Sequence, residues 1–81
     1  MIYVDFILRS EFNGTLSIYD FSGNKVLDKE CNHGLSSTFI NCKWNGYNKS
    51  SYRVSNGVYF CKVVTADGKE YWQKLGVVNL K

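Results

Sequence analysis

Residues 54–81 read VSNGVYFCKVVTADGKEYWQKLGVVNLK, and this stretch decides the fold. Tyr59, Cys61 and Val63 alternate with Val58, Phe60 and Val64, the period of two that belongs to a strand. Both sets are apolar, which predicts a place inside a sheet and not at its rim. Asp67 and Gly68 then supply the residue types of a tight hairpin turn. YWQKLGVV returns as an antiparallel partner.

The same alternation extends toward the start of the chain. Ile2, Val4, Phe6 and Leu8 share one side of a leading strand over residues 1–9, with Tyr3, Asp5 and Ile7 on the other. TLSIYD places Leu16 and Ile18 inward. DFSGNKV reads as a hairpin in which Gly23 and Asn24 turn the chain into KVLDKE. NHGLSS is expected as a loop. In TFINCKW, Phe39 and Asn41 share one face while Ile40, Cys42 and Trp44 share the other. Between Trp44 and Gly57 the Asn, Ser and Gly content predicts a long surface loop. Short strands with turn signals at intervals of roughly ten residues predict an all-β sandwich or barrel with no helix. The expected fold is a small antiparallel β-sandwich of about seven strands, residues 1–81 forming one domain.

A chain of 81 residues can bury roughly 60–65% of its unfolded surface, enough for one modest core. Aromatic residues make up 16% of it, and each buried ring removes about 150–250 Å² from water. The formal charge of +3 arises from ten scattered lysines and arginines, which makes a solvated surface and no phosphate-binding stripe. No apolar run approaches the roughly 18 residues of a membrane-spanning helix, so no membrane insertion is expected. The opening MIYVDFILRS lacks the basic start and the small-residue cleavage site of a secretory signal.

Candidate chemistry is sparse. The seven glycines are well separated, so no phosphate-cradling loop forms. His33 is the sole histidine and sits in a turn-like context, which leaves a Cys-His or Ser-His-Asp site without support. Asp20, Asp28 and Asp67 lie at or beside turns, where aspartate bonds its own backbone. Cys31, Cys42 and Cys61 cannot all pair within one molecule: three buried thiols and one disulfide with a free thiol both remain open, while a metal site lacks a CxxC pair. Trp44 ends an apolar strand and is expected in the core; a sugar-stacking platform would need both Trp44 and Trp72 exposed on one face. The chain is therefore expected to be no enzyme and to carry no cofactor.

The ordered pieces LSIYDFSGNKV, KWNGYN, NGVYFCKVV and QKLGVVNLK resemble the C-terminal sorting domain of the type IX secretion system, and equally the immunoglobulin-like domain of the flagellar hook-capping protein. The resemblance covers residues 15 to 81 and rests on Tyr19, Asp20, Gly23, Trp44, Gly46, Gly57, Val58 and Tyr59. It implies an immunoglobulin-like sandwich that acts as a non-catalytic sorting or accessory module of a secreted or cell-surface protein. Asn45 and Asn48 stand where the family usually has aspartates, and three cysteines are unusual for it. The resemblance implies recognition by secretion-system proteins through the last strand, at Lys74, Gly76, Val77, Val78, Leu80 and Lys81, with a covalently preceding cargo in a longer precursor at the cell surface.

Two alternatives come from other classes. Ile2, Val4, Phe6 and Leu8 could be donated to a neighbouring copy, which would make a self-assembling homo-oligomer of an extracellular fibre or surface array. A small nucleic-acid-binding β-barrel is the other, and it requires aromatic rings exposed beside lysines on one sheet face, as YWQK could supply. Aromatic-glycine RNA-binding signatures are missing, so nucleic acid is not among the expected partners.

Overall fold

The computed structural model describes residues 4–9, 13–33 and 39–78. Their secondary structure is all β. Six strands follow one another: β1 (Val4–Arg9), β2 (Gly14–Asp20), β3 (Lys25–His33), β4 (Phe39–Trp44), β5 (Gly57–Thr65) and β6 (Glu70–Val77). All pairings are antiparallel, in the spatial order β1-β4-β3-β2-β5-β6.

The long strand β3 is what curls this sheet. Lys25 through Cys31 pair with β2, whereas Asn32 and His33 pair with Asn41 and Ile40 of β4. One strand thus serves two halves, and its far end carries β4 and β1 away from the plane of β2, β5 and β6. The consequence is visible at Trp44 and Tyr59. They lie on β4 and β5, which are not neighbours in the sheet, yet their ring centroids stand 5.6 Å apart.

The inward faces close on a core of Leu16, Ile18, Ile40, Trp44, Tyr59, Val63 and Val77 together with all three cysteines. Each follows from the period of two. On β4, Ile40, Cys42 and Trp44 are buried while Phe39, Asn41 and Lys43 are exposed. On β5, Tyr59, Cys61 and Val63 are buried, and the strand lies between β2 and β6 as its two apolar faces predict. Its other face, however, is not covered by a second layer: Val58 is exposed, and Phe60 and Val64 are half-buried.

Cys31 and Cys42 form a disulfide between β3 and β4, with Cα atoms 5.2 Å apart. It fastens the two halves where, among the described residues, two residue pairs of the sheet join them. Cys61 remains a buried thiol, and the burial pushes its pKa up to about 12. Of the cysteine arrangements open at the level of sequence, one bridge and one thiol is the outcome. Ile2 of the leading strand, the loop residues 34–38, and Leu80 and Lys81 lie outside the described residues. The backbone of Val4, Phe6 and Leu8 pairs with Trp44, Cys42 and Ile40 of the same chain.

Candidate functional site

Turn chemistry positions the residues around Asp20. The Asp20 carboxylate accepts the Asn24 backbone N–H at 2.8 Å and the Asn24 side-chain amide at 3.2 Å, and these bonds hold its pKa below the ordinary value of 3.8. Gly23 donates to the Asp20 carbonyl at 3.0 Å and closes the turn. These are the bonds of a turn that joins β2 to β3.

The Trp-x-Gly corner is likewise structural. The Trp44 indole Nε1 donates to the Tyr47 carbonyl at 2.8 Å, which satisfies its one polar group while the ring stays in the core. Gly46 adopts φ +85°, a left-handed conformation that a side chain would resist, and its carbonyl accepts the Val54 N–H at 2.9 Å. Asn48 then organises the loop through its side-chain oxygen, which accepts from Ser50 and Tyr52. The Tyr59 hydroxyl donates to the Ser55 carbonyl at 2.6 Å and locks the end of the loop to β5. Burial raises the Tyr59 pKa, with the Asp20 charge acting the same way.

Two surfaces remain as candidates for recognition. The first is the rim at β6, which among the described residues pairs with β5 alone. Lys74, Gly76 and Val78 are exposed there, whereas Val77 is only 1% exposed and belongs to the core. Of the terminal residues implied by the resemblance, the structure brings Lys74, Gly76 and Val78 to one accessible edge and spends Val77 on packing.

The second surface was not legible as a unit. Tyr19, Phe60 and Trp72 project from the outer side of β2, β5 and β6, with Phe21 in the adjoining turn. Phe21 stacks near Phe60 at a centroid distance of 6.3 Å, and Tyr19 meets Trp72 at 5.9 Å. Lys62 lies beneath this second pair, its Nζ 5.4 Å from each ring centroid. A hydrogen bond to Tyr19 raises the Lys62 pKa, opposed by desolvation and aided by Glu70. The signal that could have found the cluster was the outward set of each strand read together. A single strand shows only one ring of it.

Among the described residues, no group of three His, Cys, Asp or Glu side chains is arranged to hold a metal ion. Comparison with protein-family models, with curated proteins and with solved structures finds no match to the chain.

Proposed function

We propose that the chain is a non-catalytic recognition module of a secreted or cell-surface protein, engaged by secretion machinery through backbone pairing along β6. The observation that carries this reading is the open edge: among the described residues β6 has a partner on one side only, and Lys74, Gly76 and Val78 are exposed beside it. An extended segment can add to such an edge through main-chain bonds. In the proposed architecture the two halves stack as an immunoglobulin-like sandwich, supported by the Trp44–Tyr59 contact between non-neighbouring strands. The Cys31–Cys42 bridge supports an oxidising location, because reducing cytosol keeps thiols unpaired. Recovery of the protein from its native source tests the reading. The sequence is expected at the C-terminus of a larger secreted parent or in a surface fraction, and recovery solely from the cytosol as a reduced chain would contradict it.

A second reading is favoured by one observation. β1 forms the opposite edge and, among the described residues, pairs with β4 alone, the geometry of a strand that can be exchanged between copies. Exchange would preserve the same register and build a self-associating subunit. Sedimentation with and without residues 1–9 distinguishes it: association lost on deletion supports exchange, and a monomer in both cases rejects it.

A further inference from the structure

We infer that the outer face of β2, β5 and β6 binds a carbohydrate, an uncharged oligosaccharide laid across the rings of Tyr19, Phe21, Phe60 and Trp72. The face begins from the period of two. Tyr19, Phe60 and Trp72 alternate with the core residues Ile18, Tyr59, Cys61 and Val77 along their strands, so burying one set presents the other. Phe21 is 75% exposed and Trp72 58%, an unusual disposition for two large apolar side chains that stand in pairs with other rings.

Register sets the chemistry around the rings. Lys25, Tyr19, Phe60 and Lys74 lie opposite one another across β3, β2, β5 and β6, which makes a row of amine, ring, ring, amine. The next row runs Asp28, Ser17, Lys62, Trp72. Beside Tyr19 a shallow depression of about 350 Å³ is lined by Ser17, Asp28 and Lys62, so the aromatic rings adjoin a polar hollow. Ligand sites combine these two elements: apolar area for affinity and a few fixed polar groups for orientation.

Charge then selects the class of occupant. Lys25, Lys62 and Lys74 are matched on this face by Asp28, Glu30 and Glu70, and Lys29, which also lines the hollow, donates to the Lys43 carbonyl 2.7 Å away. Lys25 is already 3.2 Å from Asp28, and Lys62 is 3.8 Å from Glu70. A nucleic-acid strand draws its affinity from unmatched cations along its phosphates, and this face lacks the surplus. A sugar asks for something different. Its C–H face packs on a flat ring, and its hydroxyls both donate and accept, so neighbouring amines and carboxylates serve it equally. The site uses outward side chains, whereas pairing at the β6 edge uses backbone; Lys74 borders both, and the rings that carry the sugar are not part of that edge pairing.

Affinity electrophoresis tests the inference, using native gels cast with each of a panel of neutral plant, fungal and bacterial polysaccharides. Retardation is expected in at least one gel, weakened about tenfold by Trp72→Ala and by Phe21→Ala. Both substitutions lie on exposed positions, and retained near-ultraviolet circular dichroism from Trp44 verifies the fold. The retarding polysaccharide should also protect Trp72 from acrylamide quenching. No retardation in any gel overturns the inference, as does retardation that both variants retain. Salt-sensitive binding of an oligodeoxythymidine without polysaccharide binding, or self-association abolished by Trp72→Ala, would reassign the face to nucleic acid or to a second copy.

Discussion

Tyr19 and Trp72 sit on strands that β5 separates, yet their ring centroids are 5.9 Å apart because both side chains lean over Lys62. Two rings thereby cover the stem of one lysine and share its charge. Replacing Lys62 with alanine removes that support. Acrylamide quenching of Trp72 is expected to rise in Lys62→Ala and to rise less in Lys62→Met, which keeps an unbranched stem. Equal quenching in all three proteins would mean that the rings hold their places without it.

Reduction should loosen the junction between the two halves of the sheet. The Cys31–Cys42 bridge spans a sequence separation of 11, and closing a loop of that size constrains the unfolded chain by about 3 kcal/mol. Chemical denaturation of the Cys31→Ala/Cys42→Ala variant is expected to show a loss of that order. A loss well under 1 kcal/mol would mean that β3 and β4 are held by packing alone.

Cys61 should be chemically silent in the native protein. Burial has pushed its pKa up to about 12, so at pH 8 only on the order of one thiol in ten thousand is ionised even before access is considered. Iodoacetamide is expected to add nothing to the folded, oxidised chain and a single label after denaturation. The same shift has a stability sign. The thiol ionises first in the unfolded chain, so its contribution is complete below the ordinary value of 9.0 and is lost as pH rises toward 12.

Acid acts through two aspartates, Asp28 within β3 and Asp67 in the turn between β5 and β6. The Ser17 hydroxyl donates to Asp28 at 2.6 Å and is the main cause of its lowered pKa, and Thr65 does the same for Asp67. A depressed carboxylate adds stability above the unfolded value of 3.8 that is lost as pH falls through the folded value. The melting temperature should therefore decline as the pH falls below the unfolded value of 3.8. In Ser17→Ala, the carboxyl titration of Asp28 by carbon NMR is expected to move up toward 3.8. An unmoved titration would assign the shift to Lys25 instead.

Trp44 is the residue whose loss the core should feel most. It is 1% exposed, packs on Tyr59 and satisfies its indole nitrogen at Tyr47. Trp44→Ala is expected to cost about 3–5 kcal/mol, a large share of the stability of so small a domain, measured by denaturant midpoint.

Strand positions were legible because burial on one side imposes a period of two, which Ile40, Cys42 and Trp44 carry without interruption and Leu16 and Ile18 carry around a buried Ser17. Turns were legible at Asp20–Gly23 and Asp67–Gly68 because few residue types satisfy them. The curl was not, since nothing local in KVLDKECNH tells that β3 changes partner after Cys31. Six strands stand among the described residues where about seven were expected. The central place of β5 was legible from its two apolar faces, and it lies between β2 and β6. What its outer apolar side chains meet was not, since Phe60 joins a ring from outside its own strand at the surface. Long-range register, invisible in sequence, brings Tyr19 to Trp72. The pairing of Cys31 with Cys42 in preference to Cys61 has the same origin.

The proposal that β6 is the recognition edge meets its most direct test in a secreted reporter carrying residues 1–81 at its C-terminus, expressed in a bacterium with a type IX secretion system. Reporter activity at the cell surface is expected, reduced strongly when residues 78–81 are deleted and measurably by Lys74→Glu, with reporter retained in the periplasm. Surface delivery that is equal with and without the 81 residues, or that survives loss of the end of the chain undiminished, would contradict it.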